Sequence, residues 1–102
     1  MIYSYKGHFI YDKKTIENWN SIVVGVYYCG YKLPNGNLDP LYIGSGTGES
    51  GIRGRLLDHM RDDYWPDITH FGYRQCGTVQ EAVDLESQEI ANYKPKYNKV
   101  GK

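Results

Sequence analysis

Residues 22–48 read IVVGVYYCGYKLPNGNLDPLYIGSGTG, and this stretch decides the fold. From Ile22 to Tyr31 most positions are β-branched or aromatic, which suits a pleated, half-buried strand. Pro34-Asn35-Gly36-Asn37 is a dense turn signal. Leu41-Tyr42-Ile43 then reads as a second strand, so the stretch predicts an antiparallel hairpin. That pairing would bring Tyr27 close to Tyr42. Gly44, Gly46 and Gly48 loosen the backbone beyond it. A phosphate-binding loop is the weaker reading of Gly44-Ser45-Gly46-Thr47-Gly48, because the Gly-Lys-Ser/Thr ending is absent. A mobile connection to a helix is the stronger one.

Working outward, Ile52, Leu56 and Met60 recur every four residues with Leu57 nearby, which predicts a helix over about 50–62 with Ser50 as its N-cap. Tyr64-Trp65-Pro66 ends it. Ile68 to Cys76 reads as a third strand. Thr78 with Glu81 three residues later forms a capping-box pattern. The helix it opens carries Val79, Val83, Leu85, Ile90 and Tyr93 on its apolar side, and Pro95 stops it. Upstream, Tyr3, Tyr5, Phe9 and Tyr11 alternate as in a strand, with Gly7 interrupting. The fold class is therefore α+β: a small antiparallel sheet flanked by helices, with three strands, or four if the N-terminal segment joins. Residues 1–20 read as an arm or extra strand, and residues 21–102 as the domain proper. The arm would cover the sheet edge or mediate a homodimer.

A chain of 102 residues suits one domain with a limited core. Its eleven tyrosines suit half-buried surfaces and binding sites, since a phenol packs as an aromatic and keeps a polar tip. A formal net charge of zero excludes a basic architectural protein. The charge is nonetheless uneven. Lys94, Lys96, Lys99 and Lys102 crowd the C-terminal end, and Arg53, Arg55 and Arg61 crowd the first predicted helix. Local phosphate-binding patches are compatible with that layout, as are solvated lysines. Cys29 and Cys76 are too few for a disulfide scaffold or zinc site. Free thiols in a reducing compartment are the favoured reading, with one disulfide left open. No signal-peptide pattern or long apolar run is present, so a soluble cytoplasmic protein away from membranes is expected.

Three sets of residues are candidates for chemistry. On a helical wheel Glu86 points close to the middle of the cluster formed by Val79, Ala82, Val83, Ile90 and Tyr93, while Glu81 and Asp84 point away. A carboxylate there needs a metal, a catalytic role, or a structural partner such as a buried Tyr or an Arg. Arg55 and His59 lie four apart on one helical face. An Arg can bind a phosphate and stabilise charge growing on phosphorus, although the wheel does not separate Arg55 from Arg53, and a solvated Arg with a packed stem is the bland reading. Tyr27 and Tyr42 are packing residues, or phenols that hold or deprotonate a water. The three histidines show no metal-ligand spacing.

Taken together these pieces resemble the GIY-YIG nuclease family. The resemblance rests on Gly25-Val26-Tyr27, Tyr42-Ile43-Gly44-Ser45, Arg55-Leu56 with His59, Glu86 followed by Ile90, and Lys94-Pro95-Lys96-Tyr97-Asn98. It spans about residues 22–98, with Val26 in place of the usual Ile. The family implies a three-stranded antiparallel sheet flanked by helices. It also implies a phosphodiester hydrolase acting on nucleic acid, DNA ahead of RNA, with one Mg²⁺ or Mn²⁺. By that resemblance Arg55 matches the catalytic arginine, Glu86 the metal-binding glutamate, Tyr27 the general-base tyrosine and Tyr42 the second motif tyrosine. His59 and Asn98 match positions that help build the site. Nucleic acid would meet Arg53, Arg55, Lys94, Lys96 and Lys99. The alternative is a binding module of the same fold with little or no activity. Departures are the long hairpin connection containing Pro34 and Pro40, the N-terminal 20 residues, and the lack of a second DNA-binding domain.

Overall fold

The computed structural model describes residues 1–19 and 22–98. Its elements are β1 (Lys6–Ile10), α1 (Lys13–Asn18), β2 (Gly25–Lys32), β3 (Leu38–Gly46), α2 (Gly51–Asp62), β4 (His70–Gln75) and α3 (Val79–Tyr93), followed by a 3-10 turn at Lys96–Asn98. The four strands form one antiparallel sheet in the order β1-β4-β2-β3. This is the expected α+β class, in its four-stranded form. No helix among the described residues is long and apolar enough to cross a membrane.

The hairpin forms as its sequence dictates. Leu33 N–H bonds Asn37 O and Gly36 N–H bonds Leu33 O, while Gly36 adopts φ +90°, a conformation suited to glycine. Pro40 sits within β3 opposite Gly30, where the register shifts. A proline is tolerated there because β3 is an edge strand. The sheet carries a core on both faces. Tyr27 and Cys29 of β2 pack with Ile16, Ile52, Leu56 and Phe71 on one side. Val26, Tyr28 and Ile43 pack with Ala82 and Leu85 of α3 on the other. Cys29 and Cys76 are free and buried, and burial raises the pKa of both thiols.

Three local readings need correction. The N-terminal alternation stops at Asp12, whose side chain accepts from Thr15 N–H and caps α1. Helix α1 was not anticipated, and its Ile16 is fully buried. Ser50 makes no side-chain capping bond; the Ile52 N–H in the first turn of α2 is met by Val23 O at 2.9 Å. The buried face of α3 is centred on Ala82 and Leu85, while Val79, Val83 and Tyr93 are 49%, 41% and 54% exposed. Glu86 therefore lies at the margin of the buried stripe and not in its middle. The Thr78–Glu81 capping box is present as expected.

The arm docks on its own chain. β1 pairs with β4 through Lys6–Tyr73, Phe9–Phe71 and Ile10–His70. Arg53 fixes α1 to α2, its guanidinium donating to Ile16 O at 3.2 Å and Glu17 O at 3.0 Å.

Candidate functional site

Tyr27 and Tyr42 lie on the same face of the hairpin, Tyr27 opposite Gly44 and Tyr42 opposite Cys29. Their ring centroids are 6.2 Å apart. Gly44 leaves the room for this: a Cβ there would stand 2.5 Å from the Tyr27 hydroxyl oxygen. Gly25 is likewise constrained, since its Cβ would stand 2.2 Å from Arg74 O on the neighbouring strand.

Helix α2 lies over these rings. The Tyr27 hydroxyl and His59 Nε2 are 2.7 Å apart, and His59 Nδ1 is 2.8 Å from Asp63 Oδ2. Trp65, from the loop after α2, covers His59 and Tyr42, with ring centroids 4.7 Å from His59 and 4.9 Å from Tyr42. Tyr97 stacks on Trp65 at 5.5 Å. The Tyr97 hydroxyl and Lys96 both bond Asp67, so the 3-10 turn and the α2–β4 loop hold each other.

Burial raises the Tyr27 pKa beyond the ordinary phenol range, with Tyr42 and Cys29 adding to the effect; the Arg55 charge opposes it. Tyr42 is raised in the same way, burial first, with Arg55 again opposing. Arg55 is therefore close enough to act on both phenols, although its Nη1 contacts Asp58 at 3.3 Å and its side chain is half-exposed.

Asn98 and Glu86 reach the site from β3's free edge. Asn98 Oδ1 accepts from Ile43 N–H and its Nδ2 donates to Ile43 O, both at 2.8 Å. One side chain thus does for Ile43 what a neighbouring strand would do. Glu86 Oε1 accepts from Ser45 Oγ at 2.8 Å. Tyr42, His59, Glu86 and Asn98, with Asp63, Trp65, Ile90 and Tyr97, line one cleft of about 390 Å³. A larger groove of about 750 Å³ opens around Tyr5, Tyr28, Arg74, Glu89 and Tyr93, and none of the six site candidates lines it.

Of the six, Tyr42, His59, Glu86 and Asn98 meet in the cleft. Tyr27 is fully buried behind it, and Arg55 acts on both phenols from α2. The residues assigned to nucleic acid are more dispersed. Arg53 is spent on the α1 carbonyls, Arg55 and Lys96 are in exposed ion pairs with Asp58 and Asp67, and Lys94 is the exposed left-handed cap of α3. Lys99 lies outside the described residues. Asp63, Trp65 and Tyr97 were not picked out individually as site residues. Asp63 follows His59 by four positions, a spacing that marks a same-face pair on a helix; the other two contacts carry no local signal.

Among the described residues no group of three or more His, Cys, Asp and Glu comes together around one point. Of the two carboxylates lining the cleft, Asp63 is bonded to His59 Nδ1, which leaves Glu86 as the one to hold an ion. That suits Mg²⁺, which keeps several waters and binds through one or two carboxylates plus substrate phosphates. Comparison with protein-family models, curated proteins and solved structures finds no match to this chain.

Proposed function

We propose that the protein is a divalent-metal-dependent endonuclease of the GIY-YIG type, hydrolysing nucleic-acid phosphodiesters, DNA ahead of RNA. The observation that carries this reading is the convergence of Tyr42, His59, Glu86 and Asn98, from four separate parts of the chain, on one cleft with Tyr27 bonded behind it. Glu86 would hold Mg²⁺ or Mn²⁺, with Ser45 fixing one carboxylate oxygen. Lewis-acid stabilisation of a phosphoryl oxygen is the chemistry such an ion supplies. Arg55, whose exposed pairing with Asp58 is weak, would swing to the scissile phosphate and stabilise its developing charge. Tyr27 would take the proton of the attacking water indirectly, since burial keeps it from solvent. Tyr42 would hold that water at the cleft wall. Zero net charge limits the phosphate grip to local contacts, so binding would be weak and salt-sensitive. The two reduced thiols fit a cytoplasmic setting.

The test is cleavage of labelled duplex, flap, branched and single-stranded DNA and of RNA, in Mg²⁺, in Mn²⁺ and with EDTA. Metal-dependent cleavage is expected, and Glu86→Ala should abolish it while folding and binding persist. Unchanged cleavage by a well-folded Glu86→Ala protein would remove the metal role. Binding of DNA by the wild type with no cleavage under any condition would establish the inactive binding module instead.

A further inference from the structure

His59 is 6% exposed, and each of its ring nitrogens has one partner. Nδ1 faces the Asp63 carboxylate at 2.8 Å, and Nε2 faces the Tyr27 hydroxyl at 2.7 Å. An ionised carboxylate only accepts hydrogen bonds. Nδ1 must therefore carry a proton, because the opposite tautomer would set two acceptors against each other at 2.8 Å. In the neutral ring the lone pair then lies on Nε2, and the Tyr27 hydroxyl has to donate to it. The direction of the inner hydrogen bond is thus set by the outer one.

That direction has a chemical consequence. Tyr27 is fully buried and its phenolate is disfavoured by that burial. It can release its proton only to a neighbour placed to receive it. His59 Nε2 is such a neighbour, and Asp63 stabilises the imidazolium that results. The Tyr27 O–H bond breaks and the Nε2–H bond forms, leaving a phenolate beside an imidazolium that remains bonded to Asp63. The Arg55 charge favours the phenolate. The Tyr27 oxygen can then accept a proton passed on by Tyr42 at the cleft wall, the indirect transfer described above.

We propose that Asp63 is a positioning residue, which holds His59 in the Nδ1–H tautomer so that Nε2 draws the proton of Tyr27. Its effect on rate rests on the nuclease reading above; the tautomer it imposes does not. Asp63 is well placed for the role. As the residue after α2, its backbone N–H caps His59 O, and its half-exposed side chain reaches back one turn to the ring. The neighbouring Asp62 is instead bonded to Arg61.

The experiment has two arms on the full chain. Long-range proton–nitrogen NMR of the ¹⁵N-labelled protein at neutral pH reads the His59 tautomer. The wild type should show Nδ1–H with an unprotonated, hydrogen-bonded Nε2. Asp63→Asn, whose amide can donate to the ring, should shift the population toward Nε2–H. Asp62→Asn should leave it alone. In single-turnover cleavage, Asp63→Asn should lower the rate on the order of 100-fold with KM nearly unchanged, in line with the usual contribution of general acid–base groups; Asp62→Asn should match the wild type. A wild-type Nε2–H tautomer overturns the proposal without any variant, which also covers an Asp63→Asn protein that fails to fold. An Asp63→Asn protein that keeps the wild-type tautomer, or the wild-type rate, overturns it as well. A wild type that cuts no nucleic acid refutes the nuclease reading, and the two spectra then decide the tautomer by themselves.

Discussion

Gly44→Ala should damage stability and chemistry together, and by an amount the structure sets. The added Cβ would stand 2.5 Å from the Tyr27 hydroxyl oxygen, 2.6 Å from its Cζ and 2.9 Å from Tyr42 Cε2. Ordinary contact begins at 3.4 Å, so the phenol has to retreat by about 0.9 Å. The ring is fully buried, so a retreat has to displace packed neighbours. Overpacking of this kind costs about 1–3 kcal/mol. A retreat of that size also breaks the 2.7 Å bond to His59, and a buried polar pair left unmade costs about 1–3 kcal/mol more. The combined loss of about 2–6 kcal/mol is a large share of the roughly 5–15 kcal/mol that stabilises a small domain. The assay is urea unfolding read as a change in midpoint at constant slope, with Gly48→Ala as control, since a Cβ at Gly48 meets nothing within 4 Å. The control should stay within about 0.5 kcal/mol of wild type. A Gly44→Ala protein equally close to wild type, with its Tyr27–His59 bond intact by NMR, would refute the claim that the Tyr27 phenol needs the space over Gly44.

Two arginines on one helix should separate cleanly: Arg53→Ala loses the bonds to the α1 carbonyls and about 1–3 kcal/mol of stability by urea unfolding with an unchanged salt slope of DNA binding, whereas Arg55→Ala stays within about 1 kcal/mol and loses cleavage by at least about 100-fold. Asp67 gives a pH dependence. Its hydrogen bond from Tyr97, with Lys96 assisting, lowers its pKa below the ordinary 3.8. A depressed carboxylate contributes fully above its unfolded value and loses that contribution as the pH falls through the folded one. The Tyr97 ring signals in NMR, which report the bond to Asp67 directly, should hence hold their bonded position from neutral pH down to about 4 and lose it only below that, while in Asp67→Asn they should already be displaced at neutral pH.

The hairpin, α2, β4 and α3 were legible because each is announced by neighbours in sequence: a β-branched run, an Asn-Gly turn, a four-residue apolar spacing, a capping box. α1 was not, because the alternation of Tyr3, Tyr5, Phe9 and Tyr11 favours a strand and only Asp12, as an N-cap, marks the switch. The wheel of α3 mis-centred the buried face for a related reason. It weighs Val79 and Val83 as core residues, but the sheet beneath covers the Ala82–Leu85 side and leaves both valines in solvent. Glu89 instead lies over the sheet and accepts from Tyr28. The site candidates were legible only as an ordered set, each piece being weak alone. The contacts that give the set its geometry, Trp65 on His59 and Asn98 on Ile43, join residues far apart in sequence, and no local pattern announces them.

The position of the cleft follows from the strand order. Alternate residues of β3 face opposite sides of the sheet, so Tyr42 looks toward α2 and Ser45 toward α3. In a central strand the next strand would separate His59 on one side from Glu86 on the other. β3 is an edge, and the two sides can meet around it. The free edge would ordinarily expose unpaired backbone groups that invite another strand. Asn98 occupies those of Ile43 with a single side chain, too small to close the passage a whole strand would block. Edge placement, the Asn98 bridge and the tyrosine of β3 are therefore one arrangement. It lets the hydrogen-bonded chain of Tyr27, His59 and Asp63, built on β2 and α2, face a carboxylate carried by α3.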